Sequence, residues 1–403
     1  MNLIKKFVLG FAAVVAVACS SEKEKLYSMI DEAFLNAEGR YVALADSLLK
    51  ADYGMLPHSL NEDGSLVKTA TYGWTSGFFP GSLWYIYEYL GSEQIKSFAQ
   101  EYTSFLEVER NNTGTHDIGF MMYCSYGNSH RLIPSDEKKQ ILIDAADALC
   151  TRFTPAVGCI RSWDHMGERC GWYYPVIIDN MMNLELLLWA WEQTGESKYL
   201  EVAATHANTT AKNHFREDES SYHVVNYDPQ TGEILFQGTH QGLADDSSWA
   251  RGQGWGLYGY TVMYRFTKDS SYLEKAQRIA EYIMSHPSLP EDKVFLWDYK
   301  APADAPRDAS AAALCASALL ELQAYTADAT FAENYYDFAV DILKSLSGPE
   351  YTAGANENGG FLLKHSVTSF PTGKEIDKPL NYADYYYLEA LLRLKNILDN
   401  DKY

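Results

Sequence analysis

At 403 residues, 47% hydrophobic and 14% aromatic, the chain can bury a substantial core, in one large domain or in two to three ordinary ones. A formal net charge of -21 argues against nucleic-acid binding and against the capture of a polyanion by the whole surface, so an acidic ligand needs a local basic pocket. The aromatic residues, led by 30 Tyr and 9 Trp, serve helix packing first and stacking on sugar faces second.

In chain order, residues 1–18 open with Lys5 and Lys6, continue as an apolar run too short to span a bilayer comfortably, and end in small residues. This is the pattern of a secretory signal. Ala16-Val-Ala-Cys19 is similar to a bacterial lipobox, with Ala16 where Leu is usual. Cys19 is then the expected lipidation site, residues 19–26 form a tether, and the protein is an exported lipoprotein of the periplasm or outer membrane. No other segment is long and apolar enough for a transmembrane helix, so the lipid is the only expected membrane contact.

Over residues 27–403 apolar residues recur at helical spacing, which predicts an all-α domain. Amphipathic, charge-rich helices are predicted near 27–49, 92–108, 136–153, 197–214, 271–286 and 328–346. More apolar or small-residue helices fall near 76–90, 117–127, 175–193, 251–266, 307–325 and 380–398. Helices that are apolar all round belong inside and those with one charged face belong outside, so the alternation predicts an inner and an outer layer of six each. Short turns such as Thr194-Gly-Glu-Ser lead from an inner helix to the next outer one. The return connections are long, for example 154–174, 215–250 and 347–379, and gathered at one end they would build a cleft. A closed ring and an open solenoid fit this pattern equally. One segment, 222–236, reads as a β-hairpin around Asp228-Pro-Gln-Thr-Gly232 and is placed beside the cleft.

Two carboxylates stand out. Asp179 heads the apolar run Asp179-Asn-Met-Met-Asn-Leu, and Asp117 leads into Ile-Gly-Phe-Met-Met. A charge in such a setting is costly unless it is paired, caps a helix or does chemistry. Helix capping is the plain alternative for both, and the helix dipole would then lower their pKa values. A general acid instead needs burial and mutual repulsion to hold its proton near neutral pH. The segment Asp245-Asp-Ser-Ser-Trp-Ala-Arg-Gly-Gln-Gly-Trp255 places Gly252, Gly254, Gly256 and Gly259 on a helix that Ser247 or Ser248 could cap, each glycine costing about 1 kcal/mol relative to Ala. Close backbone packing and close approach of a ligand both explain them. Arg251 suits either a substrate carboxylate or a structural salt bridge.

His116, His223 and His240 sit beside polar or Gly-rich loop sequence without metal-site spacing, so no metal is inferred. Trp74, Trp163 and Trp255 serve either as core or as sugar platforms. Beyond Cys19 the cysteines are 124, 150, 159, 170 and 315, with no CxxC pair; a Cys159–Cys170 bridge is left open.

In His116-Asp-Ile-Gly-Phe, Asp179-Asn-Met-Met-Asn-Leu, His240-Gln-Gly and the segment 245–255, the chain resembles the unsaturated glucuronyl hydrolases of glycoside hydrolase family 88, over roughly residues 30–398. The resemblance implies an (α/α)6 barrel without a cofactor. It also implies removal of the 4,5-unsaturated uronic acid that polysaccharide lyases leave at the non-reducing end of oligosaccharides. One aspartate protonates C4 of the C4=C5 vinyl ether and then helps water attack C5; the resulting hemiketal rearranges and releases the next sugar. Carried over by motif, Asp179 is the acid/base and Asp117 assists it. His223 and Gln241 flank the water or the ring, while Trp74, His116, Trp163, Arg251 and Trp255 shape the sugar positions. Family members that accept sulfated glycosaminoglycans carry Ser and Lys in a loop before the last helix. Ser366 and Ser369 match it, and Pro371 stands where a basic residue is expected. Fragments of chondroitin, hyaluronan or heparin are the expected substrates, with pectin-derived rhamnogalacturonan fragments, or glycan binding without turnover, as the alternatives.

Overall fold

The computed structural model describes the backbone of residues 3–400 and the side chains of residues 21–400. The signal-segment and Cys19 readings fall outside the residues whose side chains are described. Fourteen α-helices are present among the described residues: α1 (Leu3–Ala51), α2 (Phe78–Leu90), α3 (Glu93–Phe105), α4 (Ile118–Met122), α5 (Asn128–Leu132), α6 (Asp136–Cys150), α7 (Met166–Cys170), α8 (Asn180–Thr194), α9 (Ser197–Asn213), α10 (Ala250–Thr267), α11 (Ser270–Ser285), α12 (Ala309–Tyr325), α13 (Ala329–Leu346) and α14 (Asn381–Asp399). A π-helical turn, Tyr123–Gly127, joins α4 to α5 into one kinked element, longer than the 117–127 helix expected.

Contacts between neighbours settle the choice between ring and solenoid. Helix α2 packs on the α4–α5 element, α4 on α8, α8 on α10, α10 on α12, α12 on α14, and α14 back on α2. The inner layer is therefore a closed ring of six, and α1, α3, α6, α9, α11 and α13 lie outside it, which makes an (α/α)6 barrel. Composition explains the sorting. In α12 the sequence Ala-Ser-Ala-Ala-Ala-Leu-Cys-Ala-Ser-Ala-Leu-Leu is buried along its whole length, whereas α11 buries only the stripe Tyr272, Lys275, Ala276, Ile279, Ala280 and Ile283. The inner-to-outer turns are tight because Gly91 and Gly195 close α2 and α8 in the left-handed region, and Asp269 and Asp328 cap α11 and α13.

All the long connections return to the end of the barrel where the inner helices begin. More of them are ordered as sheet than the sequence suggested. Strands β1 (Leu56–Leu60) and β2 (Leu66–Thr69) form one antiparallel hairpin, and β3 (Phe153–Thr154) and β4 (Cys159–Ile160) a second. Strands β5 (Pro175–Ile177), β6 (Val224–Tyr227) and β7 (Ile234–Gly238) form a three-stranded sheet. Strands β8 (Ser366–Ser369) and β9 (Lys374–Lys378) close the set. The expected 222–236 hairpin is present as β6–β7, and β5 corrects the expected helix start at 175: Pro175 removes a backbone donor and Val176 and Ile177 favour strand, so α8 begins at Asn180. Val157, Cys159, Tyr174, Val176, Val225 and Tyr227 form a small second core beneath this sheet. Cys159 and Cys170 are not bridged.

Candidate active site

Asp179 sits at the first position before α8, but its side chain makes no capping hydrogen bond. Its backbone is held instead by the tight β5–α8 junction: Ile178 donates to the carbonyl of His223, and Met182 to that of Asp179. The carboxyl is 7% exposed and its Oδ2 has no hydrogen-bond partner. Burial raises its pKa to about 7; the Arg251 guanidinium opposes that rise and the Asp117 charge adds to it. The Trp255 indole also favours the ionised form, although its Nε1 makes no hydrogen bond of ordinary geometry. The capping alternative is not realised, because the side chain makes no cap hydrogen bond and its Oδ2 stays unpartnered.

His223, from the start of β6, presents Nε2 at 3.7 Å from Asp179 Oδ2. Its Nδ1 accepts the backbone N–H groups of His240 and Gln241, each at 3.1 Å. Burial holds the ring neutral, reinforced by the charge of Arg251. With Nδ1 occupied as an acceptor, the single ring proton belongs on Nε2, facing Asp179. Gln241 thus orients His223 through its backbone, while its side-chain amide donates to the Thr368 carbonyl at 2.9 Å.

Asp117 occupies the equivalent position before α4, also without capping through its side chain. Thr115 Oγ1 lies 3.1 Å from its Oδ2, and His116 Nε2 lies 3.4 Å from its Oδ1. Burial keeps His116 neutral, and neither of its ring nitrogens has a hydrogen-bond partner. Asp179 Oδ2, both nitrogens of His116, His223 Nε2, Trp255 Nε1, Trp249 Nε1, Ser366 Oγ and Ser369 Oγ are all buried and unpartnered. Unsatisfied buried polar atoms are few in folded proteins, and so many in the residues of one cleft mark a site shaped for a polar ligand.

The chain matches the description Glycosyl Hydrolase Family 88 over residues 51–387. The chain belongs to glycosyl hydrolase family 88. It is 43% identical over 398 residues to an unsaturated glucuronyl hydrolase of Formosa agariphila, covering 97% of each chain. It is 36% identical to an unsaturated chondroitin disaccharide hydrolase of Streptococcus agalactiae, covering 79% of this chain and 81% of the relative. Among solved structures, an unsaturated glucuronyl hydrolase specific for heparin superposes with a TM-score of 0.86 at 47% identity, covering 91% of this chain and 98% of the other.

In this family 88 protein Arg251 is 1% exposed and fully engaged on one side. It donates to Asp308 at 2.7 Å and to the carbonyls of Val367 and Thr368 at 2.5 and 2.7 Å. It therefore anchors β8, and with it Ser366 and Ser369, while only Nε is left unpartnered. The four glycines of α10 follow the packing alternative. A Cβ on Gly252, Gly254, Gly256 or Gly259 would meet Trp249, Leu314, Phe215 and Met181, respectively, at 2.5–2.9 Å. Neither Ser247 nor Ser248 caps α10: Ser247 donates to Asp298 and Ser248 to Gln253.

Trp74 lies among Phe78, Phe120 and Tyr382, Trp255 between Phe120 and Tyr386, and Trp163 against His223 and His240. Trp74 and Trp163 keep part of their surface open, whereas Trp255 is buried. Three residues of the site escaped the sequence reading. Trp249 packs 4.8 Å from His223 and under Arg251. Asn180 donates to the Ile160 carbonyl at 3.0 Å and keeps Oδ1 free. Arg152 gathers the Thr113, Arg161 and Ser162 carbonyls together with Asp164, tying the Asp117 loop to the Trp163 loop. Trp249 and Asn180 stand beside residues already singled out, whereas nothing local distinguishes Arg152, because its partners come from separate loops.

Proposed function

We propose that this glycosidase removes the 4,5-unsaturated uronic acid from lyase-generated glycosaminoglycan fragments. The supporting observation is the Asp179 carboxyl, buried and held to a pKa of about 7, with Asp117 near enough to repel its ionised form. At neutral pH such a group is poised between giving and accepting a proton, which the reaction needs in that order. Protonated Asp179 delivers its proton to C4 of the vinyl ether, leaving positive charge shared between C5 and the ring oxygen. The resulting carboxylate then takes a proton from the water that attacks C5. His223, with its proton on Nε2, helps orient that water, and Asp117 with His116 holds the ring hydroxyls. The hemiketal opens and releases the next sugar from the Trp163 side.

Relatives named for heparin and for chondroitin support the substrate class, and Ser366 and Ser369 offer two unpartnered hydroxyls for the sugar following the uronate. The assay follows loss of the ultraviolet absorbance of the conjugated enol-carboxylate in unsaturated heparin and chondroitin disaccharides. Asp179→Asn is expected to lose orders of magnitude in kcat while still binding disaccharide. An unchanged absorbance with wild-type protein on every disaccharide would sink the proposal.

A further inference from the structure

Beyond the residues assigned above, a line of rings continues outward from the carboxyl. His223 is followed by Trp163 at 5.8 Å, Trp163 by His240 at 5.3 Å, and His240 by Trp172 at 6.2 Å. Trp172 is stacked on Phe236 of β7 at 5.1 Å with a 23° interplanar angle. The stack fixes the indole in place. Among the described residues the Trp172 side chain makes no further ring contact and no hydrogen bond, and it is only partly buried. Tyr173, next in the chain, and Ile234 and Leu235, on the strand that carries Phe236, are 66%, 42% and 57% exposed. Exposed aromatic and aliphatic surface at the rim of a ligand cleft marks a binding surface more often than idle apolar area.

Charge singles out the same place. In a chain of net charge -21, cations at this end of the barrel are mostly consumed by carboxylates, as Lys378 is by Glu62 and Lys300 by Asp246. Arg169, near the end of α7 and three residues before Trp172, is exposed. Among the described residues its side chain makes neither an ion pair nor a hydrogen bond. Burial holds the His240 ring neutral, and the charge of Arg169 is close enough to add to that effect, as is the charge of Lys374 of β9. The side chain of Lys374, like that of Arg169, makes no ion pair or hydrogen bond among the described residues, so two unpaired cations lie within electrostatic range of one ring of the line.

We propose that Trp172, supported by Phe236, and Arg169 form an outer subsite that takes the third sugar, an acidic one, of a longer unsaturated glycosaminoglycan fragment. This rests on the function proposed above and extends it. Glycosaminoglycans alternate uronate and hexosamine. With the unsaturated uronate at Asp179 and the hexosamine against Trp163, the next residue outward is again a uronate. A ring face beside a guanidinium fits that residue, because the pyranose stacks on the indole and the carboxylate pairs with Arg169. A disaccharide ends before reaching either group.

The test compares unsaturated disaccharides and tetrasaccharides of chondroitin and of heparin on the full-length protein. Trp172→Ala is expected to lower kcat/KM for the tetrasaccharide about tenfold and to leave the disaccharide within about twofold. Trp172→Phe should restore most of the tetrasaccharide rate, and Arg169→Ala should raise the tetrasaccharide KM severalfold with kcat unchanged. Disaccharide and tetrasaccharide falling alike, or neither changing, overturns the outer subsite while leaving the proposed function standing. A wild-type protein that turns over no disaccharide and no tetrasaccharide refutes both.

Discussion

The proton on Asp179 is set by its surroundings, and each contribution can be removed singly. Burial raises the pKa most, and Asp117 raises it further through repulsion, against the pull of Arg251. In the proposed reaction the acid form gives the first proton, so kcat/KM should fall as pH rises past about 7. In Asp117→Asn the repulsion disappears, the ionised form of Asp179 becomes easier to reach, and the descending limb should move to lower pH. The expected result is a displacement of about one pH unit, one unit corresponding to about 1.4 kcal/mol between the two protonation states. Activity also falls at the optimum, because the hydroxyl contacts are weakened. A pH–rate profile on the disaccharide separates the two effects, and a limb that stays in place or moves upward would mean that Asp117 acts on the sugar only. Both aspartates were visible in the sequence as charges at the heads of apolar runs. The direction in which the Asp179 pKa shifts was not, because its sign depended on whether the side chain capped its helix or turned into the cleft.

At the level of elements, the position of Asp179 depends on how closely α10 approaches α8. Gly259 makes that approach possible: a Cβ there would stand 2.5 Å from Met181 Cβ and 3.0 Å from the Met181 carbonyl oxygen. Met181 follows Asp179 by two residues. Gly259→Ala gains helix propensity of up to about 1 kcal/mol, but overpacking typically costs about 1–3 kcal/mol. The contact to backbone cannot relax by a rotamer change. The net expectation is destabilisation of about 1–2 kcal/mol in urea unfolding together with a drop in kcat, as the first turn of α8 is displaced. Gly39, exposed on α1 with nothing within 4 Å of where a Cβ would stand, is the control; Gly39→Ala should stabilise slightly and leave kcat alone. If Gly259→Ala behaved like Gly39→Ala, close packing would not explain the glycines. Helix positions and their inner or outer layer were legible because the outer helices keep one charged face while the inner ones are apolar or small-residue nearly all round. The short strands were not, since β3, β4 and β5 span two or three residues each, below the length at which alternation carries information. Arg152 was hidden for a related reason: its role arises from partners that only the folded barrel brings together.

The whole molecule sets an electrostatic problem for its substrate. Every unsaturated uronate is an anion, yet the chain carries a net charge of -21. The cations of the cleft end act at short range: Arg251 is buried beneath β8, and Arg169 and Lys374 lie within electrostatic range of His240. The opposite end of the barrel is held by Arg265 and Arg393 against Glu185, Glu321 and Glu389, and these paired charges contribute little field at the cleft. At about 0.01 M salt the screening length is about 30 Å, so an approaching anion feels the repulsion of the entire acidic body. At about 0.15 M it shrinks to about 8 Å, and only the local groups remain in view. The value of kcat/KM for disaccharide should therefore rise, by a few fold, on going from low to physiological ionic strength. The rise should be steeper for sulfated than for unsulfated disaccharide, because the larger charge is repelled more strongly. Stopped-flow or initial-rate measurements at sub-saturating substrate would read this directly, with viscosity held constant. A decrease over the same range would mean that the few cations of the cleft end outweigh the rest of the molecule and capture the substrate by attraction.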